Sequence, residues 1–328
     1  MIRVGVHVAS IAIAGLMVST AANAADITWK FAHIVSPATP AGQAAEKLAE
    51  LIAERSDGRM EIEIHPSASL GDDAQIIEQI QFDSVQMGIP PTAKLGNFEP
   101  RMQVFDLPVI FPSPEAAYAV LDGPIGQELL DTLDEKGLKG LGYWESGFKH
   151  LTANKPITSI ADLSGVKVRT MDSPLIIDQY RSWGANPIPL PFGEVYNALQ
   201  SGVAEAQENS LTSVDTMKFY EVQSDLTLSG HAYLPYAFIV SKTAWEGLPD
   251  DLKEIVAQAV LDARDYNREL TAALDESLVT KFKENGMNVS ELSDEARAEF
   301  VDASRQVHEG FASIVTPELL ERIYAETN

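Results

Sequence analysis

GVKVRTMDSPLIIDQYRSWGANPIPLPFGEVYNALQSGVAEAQ, residues 165–207, switches repeatedly between two apolar periods. Val166-Lys167-Val168-Arg169 alternates with period two, as a half-buried strand does. Residues 175–183 repeat with helical spacing and are preceded by Pro174, a residue suited to the first helical turn. Pro187-Ile188-Pro189-Leu190-Pro191 is extended, residues 194–201 are helical again, and Ala204-Glu205-Ala206-Gln207 reads as a further strand. Strand and helix in succession imply α/β layering with largely parallel sheets.

The same alternation runs through the first half of the chain. Ile27-Thr28-Trp29-Lys30-Phe31-Ala32, Met60-Glu61-Ile62-Glu63-Ile64, Val85-Gln86-Met87-Gly88-Ile89 and Leu138-Lys139-Gly140-Leu141-Gly142-Tyr143 read as strands. Ala44, Ala45, Leu48, Leu51 and Ile52 share one face of a helix that stops before Asp57-Gly58. Two α/β units of similar size imply two lobes. Residues 248–285 differ: Leu252, Ile255, Val256, Ala259, Val260 and Ala263 continue into Leu270, Ala273, Leu274, Leu278 and Phe282. Entered through Pro249 and closed by Gly286, this is one very long helix or two nearly collinear ones. A helix of about 35 residues runs ~50 Å, enough to brace both lobes.

The chain has 328 residues, 45% apolar and 22% charged, ample for a buried core and without the signature of disorder. Arg3, an apolar run from Val4 to Val18 and Ala22-Asn23-Ala24 form a leader-like start, with cleavage expected after Ala24. The mature chain is then expected in the periplasm. With no cysteine, it has neither disulfides nor thiolate chemistry. Forty-eight acids against 24 bases give a net charge of −24, which repels nucleic acid and anionic membranes.

Catalytic motifs are not found. His33, His65, His150, His231 and His308 lie at no metal-ligand spacing, and the zinc-protease, nucleophile-elbow, P-loop and EF-hand patterns are missing. No cofactor or metal is expected. Gly137, Gly140 and Gly142 suit turn and strand positions. Asp72-Asp73 and Asp250-Asp251 stand where helices begin, and acids stabilise the positive helix end. Charge is more informative. Between residues 141 and 170, Lys149, Lys155, Lys167 and Arg169 outnumber Glu145 and Asp162, the reverse of the chain as a whole. A guanidinium suits a carboxylate because its planar fork donates two parallel hydrogen bonds. By charge alone an ordinary salt bridge is the commoner fate of Arg169. Trp144, Phe148, Phe192, Asn209 and Tyr233 fall near strand ends and lobe junctions, positions that equally suit core packing.

Several segments together resemble one family. HPSASLGDD (residues 65–73), FDLPVIF (105–111), IADLSGVKVRTMDSP (160–174), FGEVYNALQSGVAEAQENS (192–210), KFYEVQ (218–223) and GHAYLPY (230–236) resemble the solute-binding proteins of tripartite ATP-independent periplasmic (TRAP) transporters, in the branch of C4-dicarboxylate and sialic-acid binders. The resemblance implies a two-lobed α/β fold of the periplasmic-binding-protein type II-like kind, with a cleft, a strand-crossed hinge and a long lobe-spanning helix. It implies lobe I over residues 25–147 and about 235–274, and lobe II over 148–234 and about 275–328. A small organic acid would be captured by closure and delivered to the two TRAP membrane subunits, driven by an ion gradient. The chain itself is expected to act as a monomer.

By the same resemblance Arg169 is the chief carboxylate ligand, Asn209 a second contact and Phe192 the aromatic packed on the ligand. Lys149 stands where relatives often have a second arginine. Asp73 can meet a polar ligand group, Lys94 and Asp172 align with positions that vary with substrate, and His33 and Trp144 lie beside the cleft. Pro90-Pro91 replaces an acid found in some sugar-acid binders, which argues against a sialic-acid substrate. One forked arginine contact supplies ~1.5–3 kcal/mol, whereas micromolar binding needs ~8 kcal/mol, so other contacts and water exclusion must contribute. An exported enzyme acting on anions and a ligand-dependent sensor partner are the other readings of the same residues.

Overall fold

The computed structural model describes residues 1–2 and 25–327, so the apolar run and cleavage site of the expected leader lie outside the described residues. The strands are β1 (Ile27–Ala32), β2 (Met60–His65), β3 (Met87–Gly88), β4 (Leu138–Ala153), β5 (Lys167–Thr170), β6 (Asn186–Pro189), β7 (Ala206–Asn209), β8 (Asp225–Ser241) and β9 (Asn288–Glu291). They form one sheet in the order β2-β1-β3-β8-β4-β7-β5-β6, with β9 paired to β8.

Pairing is parallel within each lobe: β1 with β2 and β3, and β5 with β6 and β7. The expectation of largely parallel sheets is corrected at the centre, where β4 and β8 pair antiparallel with each other and with β7 and β3. β4 has 16 residues and β8 has 17, and their outer halves belong to opposite lobes. Leu138 to Glu145 pairs with Ser241 to Pro235, and Phe148 to Ala153 with Tyr233 to Asp225. The register breaks between Glu145 and Phe148. Gly147 sits in that break at φ +89°, and a Cβ there would lie 3.3 Å from Thr271 Cγ2. A residue with a side chain is strained at that φ, so glycine permits the bulge where the lobes meet.

Sequence patterning found only the start of β4 and none of β8 as a strand. β8 is buried along nearly its whole length and β4 without a break from Tyr143 to Gly147, so the in-out alternation that marks a half-exposed strand is missing there. Elsewhere local chemistry agrees with the outcome. Thr39 caps the helix Pro40–Arg55, its hydroxyl accepting from the Gly42 N–H, and Asp72 closes a capping box on the helix Asp73–Gln81.

The long helix is Asp250–Glu284, a single helix of 35 residues. Leu252, Val256, Ala259, Val260 and Ala263 bury against Trp29, Phe31 and Leu48 in the first lobe, while Leu278 and Phe282 bury against Leu199, Val214 and Phe219 in the second. The helices after β9 pack with residues of both halves of the molecule. In the helix Asp294–Val315, Ala296 and Phe300 pack with Val168, Tyr180 and Trp183, but Val307, Phe311 and Val315 pack with first-lobe residues. The helix Pro317–Thr327 follows them, burying Leu319, Leu320 and Ile323 with Leu121, Ile125 and Leu129. Apolar content predicts that these faces are buried; it does not say against which lobe.

Candidate functional site

A cavity of about 410 Å³ opens between the lobes at the carboxyl ends of the strands. Open α/β sheets place ligands at such strand ends, and the size suits a small molecule. From the first lobe come Ile34, Val35 and Ser36 after β1, Asp72 and Asp73 after β2, and Pro91 and Lys94 after β3. The second lobe contributes Arg169 and Met171 at the end of β5, Phe192 and Glu194 after β6, and Asn209, Ser213 and Met217 after β7. Leu234 and Tyr236 of the crossing strand β8 complete the lining.

Arg169 is 2% exposed and has no carboxylate within ion-pair distance among the described residues. Its Nε and Nη2 donate to the Leu190 carbonyl at 3.1 and 2.6 Å, which fixes the plane of the guanidinium against the loop after β6. Nη1 donates to no described residue. Burial lowers the guanidinium to about 10, opposed by the charges of Glu208 and Asp73, so it remains a cation at neutral pH. A buried cation without an ion-pair partner is costly unless an anion arrives.

Around it, Asn209 is 6% exposed and donates through Nδ2 to Gln207 Oε1 at 3.1 Å; Gln207 in turn donates to the Thr152 hydroxyl at 2.9 Å. Phe192 meets Phe219 edge to face at 6.5 Å between centroids. Lys94 is half-buried beside Asp73. Burial raises Asp73 to about 7, more than the nearby charges of Lys94 and Arg169 lower it.

The structure therefore brings Arg169, Asn209, Phe192, Asp73 and Lys94 to one cavity. It places the other four expected residues outside the lining. Lys149 is 1% exposed and forms a buried ion pair with Glu208 at 3.1 Å. Trp144 lies in the first-lobe core, its indole N–H donating to the Val260 carbonyl at 3.1 Å. His33 is buried behind the wall formed by Ile34 to Ser36, with Nδ1 3.1 Å from the Val35 carbonyl, and burial lowers it to about 4. Asp172 is exposed, its carbonyl 3.4 Å from Asn97 Nδ2. Nor do the local bases converge. Lys155 donates to the Asp162 carbonyl at the surface and Lys167 is exposed.

Met171, Met217, Ser213, Leu234 and Tyr236 were not singled out from the sequence. Met171 follows Arg169 by two positions, and Tyr236 follows Leu234 in the same way. Period-two spacing was the available signal for both pairs, past the end of β5 for Met171 and within β8 for Leu234 and Tyr236.

Fold and cavity define a class: a two-lobed α/β binding protein with an anion-receptive cation between its lobes. The chain belongs to the family described as bacterial extracellular solute-binding protein, family 7, whose model matches residues 31–314. It is 37% identical to the C4-dicarboxylate-binding periplasmic protein DctP of Rhodobacter capsulatus over 95% of this chain and 92% of the relative. It is 33% identical to the 2,3-diketo-L-gulonate-binding periplasmic protein YiaO of Escherichia coli over 92% of each.

Among solved structures, a TRAP periplasmic solute-binding protein of Sulfurospirillum deleyianum with bound succinate has a TM-score of 0.88 at 38% identity, covering 92% of this chain and 99% of that one. The sugar acid binding protein DctPAm of Advenella mimigardefordensis, in complex with galactonate, has a TM-score of 0.89 at 34% identity, covering 92% and 97%. The family is one of periplasmic solute-binding proteins rather than enzymes. Among the described residues no helix is long and apolar enough to cross a membrane.

Proposed function

We propose that this chain captures a small carboxylate in the interlobe cavity and delivers it to TRAP membrane subunits for uptake driven by an ion gradient. The observation that carries the reading is Arg169, a buried guanidinium with one nitrogen that donates to none of the described residues, lining a cavity built from the strand ends of both lobes. Bound succinate and galactonate in similar structures support a carboxylate of this size.

In this reading Arg169 takes the carboxylate, Asn209 adds a contact, Phe192 packs on the ligand body, and closure excludes water. The lobes divide near the bulge at Gly147 and again across Leu234 and Pro235, and the C-terminal helices bridge them. The protein acts as a monomer in the periplasm after cleavage at Ala24. In this reading it binds rather than catalyses, as the solute-binding family to which it belongs suggests.

Mass spectrometry of small molecules released on denaturing the purified mature protein, followed by calorimetric titration of the acid found, tests the reading. A stoichiometric carboxylate whose binding is lost in Arg169→Ala is the expected result. An uncharged ligand, or unchanged binding in that variant, would overturn it.

A further inference from the structure

β6 is an edge strand: it ends the sheet beside β5, with no strand on its outer side among the described residues. The strand and the two residues after it carry proline at every second position, Pro187, Pro189 and Pro191, alternating with Asn186, Ile188 and Leu190. Pro189 and Pro191 are exposed and Pro187 is half-buried, so filling the core does not account for them. Successive residues of a strand turn their N–H groups to opposite sides. The Asn186 N–H donates to the Val166 carbonyl at 2.8 Å and the Leu190 N–H to the Thr170 carbonyl at 3.2 Å, so the residues between the prolines face β5. The prolines, which have no N–H, turn their nitrogens to the open edge.

A residue in a parallel ladder turns its carbonyl to the same neighbour as its N–H. The Leu190 carbonyl therefore points past the end of β5, which stops at Thr170, and in place of another rung it accepts from Arg169 Nε and Nη2 at 3.1 and 2.6 Å. A slip of one residue would turn the prolines toward β5, lose the rungs made by Asn186 and Leu190, and send the Leu190 carbonyl to the open edge. A slip of two is opposed at the start of the strand, where Asn186 Nδ2 donates to the Gly165 carbonyl and the Gly165 N–H to the Gly184 carbonyl, each at 2.9 Å. Pro191 also disfavours the helical region for Leu190, which limits the directions its carbonyl can take.

We propose that Pro187, Pro189 and Pro191 are positioning residues for ligand capture: they fix the phase and stiffness of the edge strand so that the Leu190 carbonyl holds the Arg169 guanidinium ready for an anion. The inference rests on the carboxylate reading of the cavity and adds what orients its cation before the ligand arrives. A fork held in one plane loses less freedom on binding than a free side chain, and the difference appears as affinity. Proline on an exposed edge also discourages pairing with other chains. That role alone predicts aggregation when the prolines are replaced, with no change at Arg169.

The test replaces the three prolines by alanine, together and singly, in wild type and in Arg169→Lys. In ligand-stripped mature protein, the Arg169 Nε–H resonance, assigned by its loss in Arg169→Lys, should exchange with solvent about tenfold faster or more in the triple variant. In calorimetric titration with succinate and with galactonate, the triple replacement should weaken binding about fivefold in wild type. It should weaken binding no more than about twofold in Arg169→Lys, where no fork is left to hold. Should the triple variant fold poorly, Pro191→Ala alone carries both readouts, with smaller effects of the same sign. Equal losses in the two backgrounds, or unchanged exchange of the Nε–H, would overturn the inference while leaving carboxylate capture intact. No response to either acid, nor to the acid released on denaturation, would overturn carboxylate capture, and the exchange rate, read without ligand, would then decide the positioning.

Discussion

Lys149 Nζ lies 3.1 Å from Glu208 Oε1, and both side chains are 1% exposed. Glu208 also meets His231 Nε2 at 3.0 Å, while the Ser229 hydroxyl is 2.7 Å from His231 Nδ1. Burial would raise Glu208, but Lys149 and His231 outweigh it and bring it to about 2. Burial lowers His231 despite the neighbouring carboxylate, so it is a neutral imidazole that donates from Nε2 to Glu208 and accepts at Nδ1 from Ser229. This pair lies in β4 and β7, one residue from Asn209, so it fixes the strand end that carries a cavity amide.

Removing one partner of such a pair strands the other as a buried charge. Lys149→Met should lower unfolding free energy by ~3–5 kcal/mol. Adding Glu208→Gln should recover part of that loss, because the uncompensated carboxylate is gone. Urea denaturation of the single and double variants checks this; strictly additive losses would show that the two residues act separately.

Arg169→Ala and Arg169→Lys separate charge from shape. Alanine removes all donors and should weaken the cognate acid by at least ~100-fold, about 3 kcal/mol. Lysine keeps the charge but cannot reproduce the fork held by the Leu190 carbonyl, so an intermediate loss of about tenfold is expected. Ligand-induced shifts in melting temperature, with circular dichroism as the folding control, report both. Equal affinity in Arg169→Lys and wild type would exclude a forked contact.

Asp106 is fully buried, accepts from the Thr92 hydroxyl at 2.6 Å on Oδ2, and has no partner on Oδ1 among the described residues. Burial raises it to about 7, against the lowering effects of Lys149 and Thr92. A raised folded value means that its stabilising contribution is complete below the unfolded value of about 3.9 and is lost as pH rises through 7. The stability of Asp106→Asn relative to wild type should therefore increase between pH 4 and pH 7 and level off above it. Chemical denaturation across that range measures the difference; a flat difference would show that Asp106 is ionised throughout.

Ile323 is fully buried among first-lobe residues, although it lies only a few residues from the C-terminus. Ile323→Ala should cost ~2–5 kcal/mol, since a buried branched side chain leaves a cavity. Hydrogen exchange should then rise in first-lobe helices such as Pro124–Thr132 rather than around β5 and β6. Faster exchange confined to β5 and β6 would return this helix to the second lobe.

Much of the fold was legible because its signals are local. Strand and helix periods, Pro174 and Pro249 at helix starts, and the apolar stripe of Asp250–Glu284 require only neighbouring residues to be read. β8 was not legible, because a strand buried on both faces loses its alternation, and Pro235 argues against a central strand until the bulge opposite it is seen.

The sequence by itself determined the α/β alternation, the long helix, the family resemblance and the position of Arg169 at a strand end. Only the tertiary structure decided which of several bases is available to an anion. Lys149 and Arg169 look alike as cations on strands, yet the pairing of β4 with β7 sets Lys149 against Glu208, while the pairing of β5 with β6 gives Arg169 a carbonyl and leaves it one nitrogen without a partner among the described residues. Strand register fixes those partners across long separations in sequence, and in a buried setting the partner decides whether a charge is neutralised or available to a ligand.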